Sequence, residues 1–219
     1  MRCISLSSGS KGNCFYIEND RDALIIDAGI SMKEIIKRLT FVGGNPDRVK
    51  AIFTTHEHID HIRGAVPFSN KFNIPIYATK GTLYEINQRT KSQINTNMIT
   101  CTPGSIINLE EFSIENIHTS HDAREPCAFK ISSDDETIVY CTDTGLITTH
   151  MFDWINKCDI LAIESNHCPV MLENGPYTDV LKQRIRSTHG HLSNQETLAC
   201  IKAITNDTDH VLLIHISET

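Results

Sequence analysis

A chain of 219 residues, 40% hydrophobic and with ordinary Gly and Pro counts of 11 and 7, can bury a core, which excludes disorder, collagen-like repeats and low complexity. Its 20 Lys and Arg stand against 27 Asp and Glu, a net charge of −7, which argues against a wide basic surface for coating nucleic acid but not against a local phosphate site carried by bound cations. No apolar run approaches the roughly 18 residues of a membrane span, and the opening MRCISLSSGSKGNC lacks a signal-peptide core, so a soluble cytoplasmic protein is expected.

In chain order, Cys3–Leu6 and Cys14–Glu18 are predicted strands around the turn-rich SSGSKGN. Ala23–Asp27 (ALIID) is a strand with a carboxylate at its tip, and Ser31 caps a helix over Met32–Leu39. The break Gly43-Gly44-Asn45-Pro46 leads to a strand over Val49–Thr54, a helix over Ala65–Asn70, a strand over Ile74–Ala78 and a helix over Thr82–Arg89. Ser105–Leu109, Phe112–His118, Ala128–Ile131 and Thr137–Cys141 follow as strands, then a helical turn at Asp153–Asn156 containing the sole tryptophan, Trp154, read as core. Ile160–Glu164 is a strand, Gln195–Ile204 a helix capped by Asn194, and His210–His215 the last strand. Hairpin-like strands in the middle with βα units on either side predict an α/β (α+β) fold of two packed mixed sheets with helices outside. The eight cysteines are scattered without a CxxC pair and read as reduced, mostly buried small hydrophobes.

The chemistry concentrates in Thr55-His56-Glu57-His58-Ile59-Asp60-His61, a His-x-His-x-Asp-His run at the end of an apolar strand. Residues two apart in extended chain point the same way, so His56 and His58 can grip one ion while Asp60 and His61, past a turn, face a second. Imidazole suits zinc, and the carboxylate also accepts manganese.

This run resembles the signature of the metallo-β-lactamase superfamily, and further matches extend from Asp27 to His215. The resemblance implies a four-layer αββα sandwich and two divalent ions, Zn²⁺ or Mn²⁺. It implies His56, His58, His121 and Asp143 on one metal; Asp60, His61, Asp143 and His215 on the other; and Asp27 supporting the cluster from behind. SLSSGSKGNCFYIE, SHDAREP, CTDTG, ESNHC, GHLSN and the late HIS are similar to the exonuclease-type WalJ/YycJ group, related to the RNase Z and RNase J nucleases. A 5′-to-3′ DNA exonuclease is therefore expected, with Asp60 and His191 catalytic and Ser8, His191 and Ser193 at the substrate phosphate. The alternative is a hydrolase of a small ester, thioester or cyclic phosphodiester, which the acidic charge mildly favours. The chain ends four residues after His215 where the resembling proteins continue, so a single domain over 1–219 is expected, its C-terminal elements either shortened or lacking. No long insertion separates Asp143 from His191, so the extra RNA-clamping domain of RNase J-like enzymes is not expected.

Several residues stay open at this level. Ser7, Ser8 and Ser10 with Gly9 and Gly12 form either a phosphate nest or a plain hairpin turn. Asp122 is either a supporting group or solvated. Lys182, Arg184 and Arg186 are either a solvated face or a phosphate-backbone track. His118, His150, His167, His189 and His210 read chiefly as surface or packing histidines. Oligomeric state is not legible.

Overall fold

The computed structural model describes residues 1–90 and 97–217. Its twelve strands form two six-stranded sheets. The first runs in order β1 (Arg2–Ser7), β2 (Cys14–Glu18), β3 (Ala23–Ala28), β4 (Val49–Phe53), β5 (Ile76–Ala78) and β6 (Met98–Thr100); β1–β3 are antiparallel, β3–β6 parallel. The second runs β12 (His210–Ile214), β11 (Ile160–Glu164), β10 (Glu136–Cys141), β9 (Cys127–Ser133), β8 (Phe112–His118) and β7 (Ile106–Leu109). Here β10–β12 are parallel and the remaining pairs antiparallel. Eight α-helices are described: α1 (Met32–Phe41), α2 (Ile59–Ile62), α3 (Ala65–Phe72), α4 (Lys80–Thr90), α5 (Thr149–Ile155), α6 (Pro169–Asn174), α7 (Asp179–Arg186) and α8 (Asn194–Ala203).

Side-chain alternation separates the layers. Phe15, Ile17, Leu24, Ile26 and Phe53 of the first sheet meet Phe129, Ile131, Ile138 and Tyr140 of the second in one buried cluster. The alternate residues Tyr16, Ile25 and Ile52 face outward onto Ile35 and Leu39 of α1 and Phe68 of α3. On the far side Val139, Cys141, Leu161 and Ile163 pack against Met151, Trp154 and Ile155 of α5 and Cys200 of α8. Three apolar seams between four layers make the αββα sandwich, as expected.

The strands feed one rim. Following the pairing directions, β8, β10, β11 and β12 all run the same way, as do β3 and β4 in the other sheet. Their carboxyl ends are where side chains gather in open sheets. Three of the six non-glycine residues with left-handed backbone among the described residues lie at such ends: Asp27 (φ 57°), Asp143 (φ 49°) and His215 (φ 51°). Such conformations cost free energy and cluster at functional sites.

Local differences from the sequence reading have physical reasons. The cap of α8 is Ser193, not Asn194: its side chain accepts from Glu196 N while Glu196 answers the Ser193 N–H, a reciprocal capping box. The helical turn near Asp153 is the longer α5, started by Thr148. α2, α6, α7 and β6 were not anticipated: α2 is four residues long, and α7 buries Lys182 while its Val180 is exposed. All eight cysteines are free, six of them buried.

Candidate metal centre

The first sheet supplies a contiguous cluster and its support. Asp27, fully buried at the tip of β3, accepts from Thr55 N (2.8 Å) and contacts His61 Nδ1 (2.8 Å). Thr55 Oγ1 in turn lies 3.0 Å from His56 Nδ1. A carboxylate on Nδ1 fixes the imidazole tautomer and leaves Nε2 for the centre. His58 caps α2, whose first turn carries Asp60 and His61. Asn13, buried under this turn, donates its backbone N–H to Asp60 O (2.7 Å) and places its amide nitrogen 3.0 Å from His61 Nε2. Gly29 lets the turn approach: a Cβ there would overlap the Asp60 carbonyl oxygen.

The second sheet supplies single residues from separate strand ends. His121 follows β8, and its Nδ1 donates to Gly190 O (3.1 Å), aiming Nε2 inward. Asp143, after β10, is the hub. Its Oδ2 lies 3.2 Å from His56 Nε2, 3.2 Å from His61 Nε2 and 3.6 Å from His121 Nε2, and its Oδ1 3.1 Å from His215 Nδ1. Glu164, fully buried at the tip of β11, reaches His215 Nδ1 (2.9 Å) and His191 Nδ1 (2.6 Å) with one oxygen, while Thr144 N and Leu192 N donate to the other.

The donors fit metal ions. Ligand atoms of His56, His58, His121 and Asp143 converge within 4.8 Å of one another, and so do those of Asp60, His61 and His215 and those of Asp143, Glu164, His191 and His215. Asp143 touches the first two groups. Nε2 of His215 is buried without a hydrogen-bond partner, 3.8 Å from Asp60 Oδ2. His56 Nε2 faces His58 Nδ1 at 3.0 Å, two imidazole nitrogens turned to one point.

Electrostatics agree. Burial, reinforced by His61, pushes the His56 pKa well below the usual imidazole range, and burial lowers His121 too, keeping both neutral. Burial opposes charge on His61 and His215 as well, but there Asp27, Asp143 and their neighbours outweigh it; His61 is raised well above its usual value and His215 to about 10. The same histidines hold Asp60 and Asp143 ionised despite burial. Protons on His61 and His215 thus do what a divalent cation would do: compensate clustered carboxylates. His191 is also raised, its burial outweighed by the Glu164 hydrogen bond and charge.

Other anticipated residues fall outside the centre or into other roles. Ser193 has its hydroxyl engaged with Glu196 in the α8 cap. Ser8 Oγ accepts from His215 N (2.7 Å), so it anchors that histidine. The loop is no open nest: Gly9 N donates to Asn13 Oδ1 and Gly12 N to Gly9 O. The basic run is committed internally: Lys182 Nζ caps the Glu173 carbonyl, Arg184 pairs with Asp122, and Arg186 with Glu173. Asp122 Oδ1 lies 3.3 Å from His121 Nε2. His118, His189 and His210 are exposed, His150 packs edge-on to Trp154, and His167 is buried beside Ser193. Sequence reasoning missed Glu164 and Asn13. The signal for Glu164 was present: it ends ILAIE as Asp27 ends ALIID.

This fold and donor set define a class. The family model of the β-lactamase superfamily domain matches residues 23–216, and the chain belongs to that superfamily, with the metallo-β-lactamase fold. It is 35% identical over 216 residues to the exodeoxyribonuclease WalJ of Streptococcus pneumoniae, covering 97% of this chain and 80% of that protein. It is 32% identical over 213 residues to the exodeoxyribonuclease YycJ of Bacillus anthracis, covering 97% and 81%. Among solved structures, the metallo-β-lactamase fold protein YhfI of Bacillus subtilis superposes with a TM-score of 0.77 at 19% identity, over 99% of this chain and 86% of that one. No helix among the described residues is long and apolar enough to cross a membrane.

Proposed function

We propose that the chain is a metal-dependent DNA exonuclease that hydrolyses phosphodiester bonds, working from the 5′ end in the cytoplasm. Two lines support the reading: near full-length similarity to proteins named exodeoxyribonucleases, and two donor groups that Asp143 contacts together, beside a His191 held by Glu164. The second is the observation that carries it.

In this reading His56, His58, His121 and Asp143 hold one divalent ion, and Asp60, His61, Asp143 and His215 hold the other. Zinc or manganese bound there lowers the pKa of water and neutralises charge growing on the phosphoryl oxygens. Asp60 orients the attacking water at the rim of the second group. Glu164 holds Nδ1–H of His191, leaving Nε2–H directed out of the cage, where it hydrogen-bonds a non-bridging oxygen and then protonates the departing alkoxide. Asp27 keeps His61 and, through Thr55, His56 in the tautomers that ligation needs.

The acidic net charge favours the rival reading, a small ester, thioester or cyclic phosphodiester as substrate. One panel separates them: 5′-labelled duplex DNA, RNA, a chromogenic phosphodiester and a thioester, each with Mn²⁺ or Zn²⁺. Mononucleotides released from the DNA, and lost in His58→Ala, are the expected result. Turnover of the thioester alone overturns the nuclease reading.

A further inference from the structure

Next to the metal centre lies a cavity of about 220 Å³. His191 and His215 form its inner end, and its outer wall is α7 and the turn before it: Tyr177, Leu181 and Ile185, with Arg184 spanning to Asp122. Phosphodiester hydrolysis itself uses neither an aromatic ring nor two aliphatic side chains beside the scissile bond. The wall is also preformed. His191 N donates to Ile185 O (2.9 Å), Gly190 lies so close that a Cβ would overlap the Arg184 and Ile185 carbonyl oxygens, and Lys182 ties α7 to α6. A rigid wall needs little ordering when a ligand arrives.

Resting on the phosphodiesterase reading, we propose that this cavity is the subsite for a single nucleoside, the one attached to the scissile phosphate. Its base lies against Tyr177 and Leu181 on the cavity wall. The volume is below the roughly 300–1,000 Å³ of sites that enclose drug-sized ligands, the scale of a small single ligand rather than a length of strand. An aromatic ring accepts any base, since every base presents a π-face. Arg184, on the same wall, supplies positive charge in an otherwise acidic molecule, and its exposed pairing with Asp122 is weak enough to be exchanged for a phosphate oxygen. One nucleoside held beside the cleavage point makes the products mononucleotides.

The test is calorimetric titration of the full chain, with and without Mn²⁺, using dAMP, dTMP and 2-deoxyribose 5-phosphate, which lacks a base. The expected result is binding of both nucleotides about tenfold or more tighter than the base-free phosphate, the lower range of what stacking on one aromatic ring supplies. Tyr177→Ala should erase that preference and Tyr177→Phe keep it; Leu181→Ala, checked for folding by circular dichroism, should reduce it. Equal binding of the three probes to the wild type, no binding of any, or a preference that survives both alanine variants overturns the proposal. Hydrolysis of bis(p-nitrophenyl) phosphate by the wild-type chain reads the phosphodiesterase chemistry separately. Its absence counts against that reading, while the calorimetric preference still decides the subsite.

Discussion

The two halves of the molecule solve one problem in different ways. The first sheet presents its donors from one short segment, residues 56–61, after a single strand, and buttresses them with one buried carboxylate, Asp27. The second sheet presents His121, Asp143, His191 and His215 from separate connections and buttresses two of them with Glu164. Both carboxylates end apolar strands and are fully buried. They differ in the histidines they hold: Asp27 holds His61 of the contiguous cluster, whereas Glu164 holds both His215 and His191. In the proposed reaction the first half only binds, and the second joins binding to proton delivery.

Breaking the hub should have the largest effect. Asp143→Asn removes the carboxylate that touches both donor groups, so metal content measured by elemental analysis should fall from two ions per chain to fewer than one, with activity at background. The two carboxylates then separate the halves. Asp27→Asn should weaken metal affinity about 10–100-fold, with most of the rate recovered at saturating Mn²⁺. Glu164→Gln should lower kcat about 10²–10⁴-fold, the range of general acid catalysis, and saturating metal should not restore it. His191→Ala on the Glu164→Gln background should cost little more, because the pair acts as a unit. Equal rescue of both carboxylate variants by metal would erase the distinction.

Smaller effects test the supports. Gly29→Ala forces a methyl group into the Asp60 carbonyl and should destabilise the fold by about 1–3 kcal/mol in chemical denaturation. Ser193→Ala should cost about 1 kcal/mol through the lost α8 cap and leave KM for DNA unchanged. A raised KM without lost stability would return Ser193 to the phosphate.

The contrast also explains what the sequence disclosed. The His56–His61 cluster was legible because its donors are contiguous, and His121, Asp143 and His215 only through the resemblance to the metallo-β-lactamase superfamily, whose later motifs they match. Glu164 hid in plain composition, one acid at the end of ILAIE, since a single carboxylate on a strand ordinarily means solvent. Asn13 hid in a turn-rich loop, where Asn is expected for local reasons, and it consumes the N–H of Gly9 that a phosphate nest would need. α7 was hard to read because the residue it buries is a lysine, satisfied by the Glu173 carbonyl, while Val180 is exposed and Leu181 and Ile185 are only half-buried. The α8 cap was misplaced by one residue because Ser193 and Asn194 are both good caps, and only the Glu196 side chain decides between them.

The account turns on Asp143 serving two ions at once. Electron paramagnetic resonance of the Mn²⁺-loaded chain tests this directly: two ions joined through one carboxylate should give the broadened multiline signal of a spin-coupled pair. A DNA-hydrolysing chain showing only the hyperfine pattern of isolated Mn²⁺ would contradict it.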